Sequence, residues 1–280
     1  MDTPNPVMVD RWTGAAPYWE KYRATIRQML APVAQGLVDA ARIGPGQSVL
    51  DIATGPGEPA LSIAAVVGPA GSVTGIDLVP GMIAAARRAA ERTGLANIRF
   101  EVATAAALPF ADNSFDAVVC RFGVMFFPSP VDAVREMLRV LKPGGRLALA
   151  VWGAEDQNSF FHCLSRVVGK YVEPSPPSPD APDGFRFARP GDLLEVLVQA
   201  GVTEALERLL EFDIQAPISA EEFCALRFEM SEQLREKAAK LPEPQLSELK
   251  REAIEALREY ATDQGMSFPA QVLIVSGYRP

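Results

Sequence analysis

The stretch Val49-Leu50-Asp51-Ile52-Ala53-Thr54-Gly55-Pro56-Gly57 holds the residue types and spacing best suited to binding chemistry. A short apolar run with the composition of a buried strand ends in a glycine turn. An Ala/Leu/Ile-rich helical run, Pro59 to Val67, follows it. Glycines let backbone approach a ligand closely, and a helix N-terminus adds unpaired N–H groups, the arrangement that receives a pyrophosphate in dinucleotide folds. The spacing here is Ala-x-Gly-x-Gly, however, and Glu58 stands where a third glycine could fall. A carboxylate at that point opposes a pyrophosphate, which weighs against a nicotinamide cofactor. A purely structural turn in a doubly wound fold remains the alternative. Twenty residues after Gly57, Asp77 closes a second strand-like run, Val73-Thr74-Gly75-Ile76-Asp77. A carboxylate there can accept hydrogen bonds from both hydroxyls of a ribose, or it is simply an exposed strand-end acid.

Dedicated proton-transfer and metal-binding groups are scarce. The 280 residues contain one histidine, His162, and three cysteines, Cys120, Cys163 and Cys224. A single histidine rules out most His-built metal sites, no Cys-x-x-Cys pair exists to bind zinc or form a redox switch, a disulfide framework is not expected, and the expected metal set is none. The formal net charge of −8 disfavours nucleic acid as a partner. No apolar run approaches the ~18 residues of a membrane span, and the N-terminal segment lacks a basic-then-apolar leader, so a soluble cytoplasmic protein is expected.

The elements that must position these residues alternate regularly. A helical pattern covers 19–42, with Pro32 expected to kink or split it and Gly44-Pro45-Gly46 to end it. Strands are expected at 48–53, 71–77, 98–102, 115–120 and 146–152, with helices at 59–67, 80–92 and 131–141 between them. This rhythm predicts an α/β fold, a doubly wound and mostly parallel sheet with helices on both faces. Six prolines between residues 171 and 190 then mark a stiff loop (Pro174, Pro176, Pro177, Pro179, Pro182 and Pro190). Beyond it a helix is expected at 191–200 and strands at 205–214 and 270–275. Ser219-Ala220-Glu221-Glu222 has capping-box spacing and opens a charged helical region broken at Pro242 and Pro244. The chain thus reads as a single domain, 1–280, with a helical lid inserted at 216–262.

Four segments in order carry a family resemblance: 49–57, Gly75 to Met82, Leu108-Pro109-Phe110 through Phe115-Asp116, and Leu141-Lys142-Pro143-Gly144-Gly145-Arg146-Leu147. Together they resemble the class I S-adenosylmethionine-dependent methyltransferases, in the branch of the ubiquinone and menaquinone C-methyltransferases. The resemblance implies a Rossmann-like fold and S-adenosyl-L-methionine as cofactor. It places Asp51 beneath the glycine loop near the ammonium of the methionine moiety and lines the cofactor with backbone at Ala53, Gly55 and Gly57. Asp77 would hold the ribose, Leu78 and Met82 would pack on adenine, and Ala105 would meet the adenine edge. Where the family commonly has Asp, this chain has Thr104, whose hydroxyl offers adenine a weaker bond. Ala53 replaces the family's first glycine, a small change expected to fit. Arg121 would sit beside the cofactor, or be an exposed strand-end arginine, and Tyr18 would close over the methionine end or pack in the core.

Methyl transfer from a sulfonium needs alignment more than proton chemistry, which suits a chain with one histidine. Candidates for a base are His162, Asp156 and Glu155, with His162 also readable as a lid residue among Phe160, Phe161 and Cys163. Phe122 and Phe126, just past the fourth strand, are expected to face a small, largely apolar acceptor such as a quinol or phenol. The other readings are an NAD(P)-dependent reductase and a non-catalytic cofactor-binding or interaction module.

Overall fold

A computed structural model describes residues 6–172 and 183–280. Most of the Pro-rich loop, including Pro174, Pro176, Pro177, Pro179 and Pro182, lies outside the described residues. Three helices open the chain: α1 (Pro6–Lys21), α2 (Arg23–Met29) and α3 (Ala31–Ala40). The break between α2 and α3 falls at Leu30, with Pro32 in the first turn of α3, where its missing N–H costs nothing. The sequence pattern starts this helical region at residue 19, whereas the structure begins it at Pro6. Pro17 and the mixed apolar and polar residues of 6–18 give no clean helical period. Contacts with later elements hold α1 instead.

Strands and helices then alternate: β1 (Ser48–Ile52), α4 (Ala60–Val67), β2 (Ser72–Asp77), α5 (Pro80–Thr93), β3 (Ile98–Val102), β4 (Phe115–Arg121), α6 (Pro130–Val140) and β5 (Leu141–Trp152). Val49, Leu50 and Ile52 of β1, and Ala117 to Cys120 of β4, are essentially inaccessible, as continuous apolar runs in a parallel sheet covered on both faces should be. α5 starts with Pro80 and ends at left-handed Gly94, the two signals legible in its sequence. In β5 the segment Lys142 to Gly145 bulges out between the Phe115–Leu141 and Ala117–Arg146 pairs, so the turn-like sequence there is accommodated inside one long strand.

After the short helices α7 (Ser159–His162) and α8 (Ser165–Val168) come α9 (Asp192–Ala200), β6 (Thr203–Ala216), α10 (Ala220–Met230), α11 (Glu232–Ala239), α12 (Glu243–Leu257), β7 (Ala261–Thr262) and β8 (Gly265–Tyr278). The capping box of α10 forms in full, Ser219 accepting from the Glu222 N–H and Glu222 from the Ser219 N–H. Strand order is β3-β2-β1-β4-β5-β8-β6, with β7 pairing β8; β1 to β5 run parallel and β8 is antiparallel to both neighbours. Both late strands are longer than their apolar cores suggest. Gly265 and Pro269 read as breakers at the start of β8, yet Pro269 pairs in register with Asp213 on β6. The α10–α12 helices therefore stand between two long antiparallel strands. Leu249, Ala253 and Leu257 of α12 are fully buried, as their spacing on one face requires.

β1 to β3 are laid down toward one edge of the sheet and β4 and β5 toward the other, so the strand order switches between the parallel neighbours β1 and β4, and their carboxyl ends form the crevice where open α/β sheets bind ligands.

Candidate active site at the carboxyl edge of the sheet

Asp51 is the penultimate residue of β1 and is completely buried. Its Oδ2 accepts the Thr54 hydroxyl at 2.6 Å and the Ala60 N–H at 3.1 Å, while Oδ1 has no hydrogen-bond partner. Burial pushes its carboxyl up to about 7, against the opposing pull of the Thr54 hydrogen bond and the Arg121 charge. Arg121, at the end of β4, donates from Nη2 to the carbonyl of Glu58 at 2.9 Å. It thereby ties β4 to the turn ahead of α4, and it is partly buried rather than an exposed strand-end residue. Glu58 itself is buried and takes the Ser62 hydroxyl at 2.7 Å.

The two glycines of the turn have different surroundings. Gly55 (φ +54°) has no heavy atom within 4 Å of where a side chain would begin, so open space lies beside its backbone. Gly57 (φ +105°) faces Leu61 at 3.0 Å and Ala86 at 3.4 Å, which is close helix packing instead. Ala53 also has a positive φ, +57°. Its methyl group fits in space, against Gly123, but the backbone conformation is one that glycine adopts without the ~1–2 kcal/mol penalty of an L-residue.

Asp77, last residue of β2, joins the two strand tips: Oδ2 accepts the Gly55 N–H and Oδ1 the Val79 N–H, each at 2.9 Å. Burial raises its carboxyl above the usual range, partly offset by these backbone bonds. Leu78 is partly buried beside it. Met82 is buried in a small cluster with Ala16 and Val79, flanked by Trp12 and Trp19 of α1. Beyond β3, Thr104 accepts the Ala106 N–H at 3.2 Å and bridges to Ala107, with Ala105 partly buried between them.

α1 roofs this edge. It packs against α5 and reaches the 3-10 turn that follows β4, where Trp12 meets Phe126 edge-on at 5.3 Å. Arg88 of α5 pairs with Glu20, while Lys21 and the Tyr22 hydroxyl share Glu229 of α10 and Arg11 pairs with Glu232 of α11. Tyr18 lies under the Arg235 guanidinium of α11 at 4.7 Å, so it faces the late helices and not the main core.

Phe122 follows β4 with φ +58° and stacks on Trp152 at 4.1 Å, with the rings 5° from parallel. Trp152 ends β5 and meets the edge of Phe161, which in turn contacts Phe160. His162 is partly buried on the same short helix and, among the described residues, makes no side-chain hydrogen bond or ion pair. Glu155 and Asp156 are exposed on the preceding 3-10 turn. None of these three base candidates is drawn into the strand-end constellation by a contact. Trp152 and the Phe160–Phe161 pair were not singled out for the site; their signal was an aromatic residue ending a strand and two more eight residues on.

Residues 49–145 match the family described as "Methyltransferase domain". A Mycobacterium bovis protein described as uncharacterized is 38% identical over 150 residues, 54% of this chain and 52% of its own. A demethylmenaquinone methyltransferase from Listeria welshimeri is 35% identical over 142 residues, 48% of this chain and 60% of its own. The chain thus spans about half the length of these curated relatives. Among solved structures, a SAM-dependent methyltransferase from Aquifex aeolicus superposes with a TM-score of 0.51 at 23% identity, covering 66% of this chain and 85% of that one. The fold is the Rossmann-like fold of methyltransferases. Within that fold, residues 49–145 are similar in sequence to methyltransferase domains.

Proposed function

We propose that this chain transfers a methyl group from S-adenosyl-L-methionine to a small, largely apolar acceptor. The carrying observation is the linked pair of strand tips: Gly55 bonded to Asp77, open space beside Gly55, and an unpartnered Asp51 oxygen below the turn. An adenosyl ligand with a ribose, an ammonium and no pyrophosphate fits that set. Asp77 offers carboxylate lone pairs to the ribose hydroxyls, and Asp51 Oδ1 offers an acceptor toward the ammonium end. Ala53, Gly55 and Gly57 contribute backbone. Leu78, Met82, Thr104 and Ala105 border the adenine side, and Arg121 and Tyr18 flank the methionine side.

When bound, the cofactor supplies a methyl group already activated on a sulfonium. The protein's own part is binding, alignment and exclusion of water. The α1 roof, with Trp12 and Trp19, and the α10–α12 helices acting as a lid would keep water from the strand ends. Phe122, backed by the buried Trp152, and Phe126 would offer aromatic surface to an acceptor and to a cationic centre. No proton carrier is assigned: His162 and its two acidic neighbours are kept as base candidates, to be separated by the pH dependence of their variants. Quinols and phenols suit such a site because they react with little base assistance.

Among the described residues no helix is long and apolar enough to cross a membrane. Calorimetric titration with S-adenosylhomocysteine and with NADPH tests the proposal. Binding of the first and not the second is expected; the reverse establishes a reductase. Binding without turnover of any quinol, phenol or amine would favour the non-catalytic module.

A further inference from the structure

Arg227 of α10 is 9% exposed, and its Nε has no hydrogen-bond partner. Among the described residues no carboxylate pairs with it and no side-chain hydrogen bond leaves its guanidinium. Glu229, two residues on, is already held by Lys21 and Tyr22, and Glu222 is used in the helix cap. The one titratable group that faces Arg227 is the Cys163 thiol, pushed up to about 11 by burial and therefore neutral at physiological pH. What surrounds the charge is aromatic: Phe160 lies 4.3 Å from the guanidinium carbon and Phe161 5.7 Å. Ring faces give a desolvated cation part of its compensation, but not hydrogen-bond acceptors for a five-donor fork. A buried, unpaired charge is among the costlier arrangements a protein can hold.

The position of this charge gives it a use. Phe161, beside Arg227, meets Trp152 at 4.8 Å, and Trp152 stacks on Phe122 at the end of β4. A continuous aromatic wall therefore runs from the strand-end crevice to the guanidinium.

We propose that Arg227 is the anion-recognising residue of the acceptor site, and that the acceptor is a planar, largely apolar molecule carrying a carboxylate or an equivalent oxyanion. The aromatic wall takes the apolar body, and the guanidinium fork takes the anion in a bidentate, charge-assisted pair. This rests on the proposed methyltransferase reading and deepens it by naming the substrate class. The anion anchors one end of the molecule by Arg227, and the nucleophilic end is left facing Phe122.

The test uses matched probes, hydroxylated benzoates and cinnamates and their methyl esters, titrated into the full chain with and without saturating S-adenosylhomocysteine. Tryptophan fluorescence reports occupancy, since Trp152 is part of the wall. The acids are expected to bind at least ~10-fold more tightly than the esters. Arg227→Met should abolish that preference and leave S-adenosylhomocysteine affinity and melting temperature undiminished, while Arg227→Lys retains part of it. Equal binding of acids and esters, binding of no acid at millimolar concentration, or an intact preference in Arg227→Met would each overturn the proposal. Should Arg227→Met fold poorly, the acid-to-ester ratio of the unsubstituted protein and of Arg227→Lys still decides. Failure of S-adenosylhomocysteine to bind would instead remove the cofactor reading, and the acid-to-ester ratio without it would still judge Arg227.

Discussion

The two ends of the proposed cleft are built on opposite principles. At the glycine turn nearly every polar group is matched locally: Asp51 to Thr54 and Ala60, Asp77 to Gly55 and Val79, Glu58 to Ser62, Arg121 to a carbonyl. At the α7–α10 end, aromatic rings enclose one cation that has no such match. On the proposed reading, the first end suits a ligand whose chemistry is fixed, and the second, generic in its apolar wall and specific only in one charge, suits the part of an enzyme that selects its acceptor.

This contrast can be broken most directly at Asp77. Asp77→Ala removes both the latch to Gly55 and the proposed ribose acceptor, so S-adenosylhomocysteine affinity should fall ~100-fold by calorimetry, in line with the 1.5–3 kcal/mol of hydrogen bonds to a charged group. The same substitution should leave the acid-to-ester preference at Arg227 untouched; loss of both would show that the two ends form one unit.

Asp51 gives the next effect. Its folded-state carboxyl, raised by burial to about 7 from the ordinary 3.8, holds a proton that the unfolded chain has already released over that interval. Stability from this residue is therefore present at low pH and lost as pH rises from about 4 to 7. Asp51→Asn should flatten that slope in urea titrations of the ligand-free protein. If Asp51 Oδ1 meets an ammonium, cofactor affinity should also fall below pH 7 as the carboxyl becomes protonated. A pH-independent affinity would remove the residue from the ligand and leave it as a brace of the turn.

Ala53→Gly is expected to stabilise by ~1 kcal/mol, because the residue occupies left-handed backbone. An unchanged melting temperature would mean that the Ala53 methyl contact with Gly123 compensates. Smallest of all, Glu229→Gln should cost less than ~1 kcal/mol, since Lys21 and Glu229 are both substantially exposed.

The same division governs what could be read from the chain. The parallel half was legible because its signals are local: buried runs for β1 and β4, Pro80 and Gly94 bounding α5, Asp77 at a strand end. Even the α10 capping box followed from four consecutive residues. The other half depends on partners distant in sequence. α1 has Pro17 inside it and no clean period; its helix is held by Arg88, Glu229 and Glu232, up to 221 positions away from the residues they pair with. The lengths of β6 and β8 come from pairing with each other, which overrides Pro269. Arg227 looked like one of many charges in a polar helix, and only its packing on Phe160 and Phe161 separates it from them. The base candidates rest on proximity to β5 in sequence alone, and no contact among the described residues bears on their role.

The roof helix has a kinetic consequence. α1 is held to α5 by the Ala16–Val79–Met82 cluster and one ion pair, and to α10 and α11 by ion pairs with partly exposed members. Lifting it for one ligand to leave loosens the cover over the other. Arrival and departure at the two ends would then share a single gate, held in part by interactions that dissolved salt screens. On the proposed reading, ionic strength, with no contact to either ligand, would throttle turnover whenever release is the slow step.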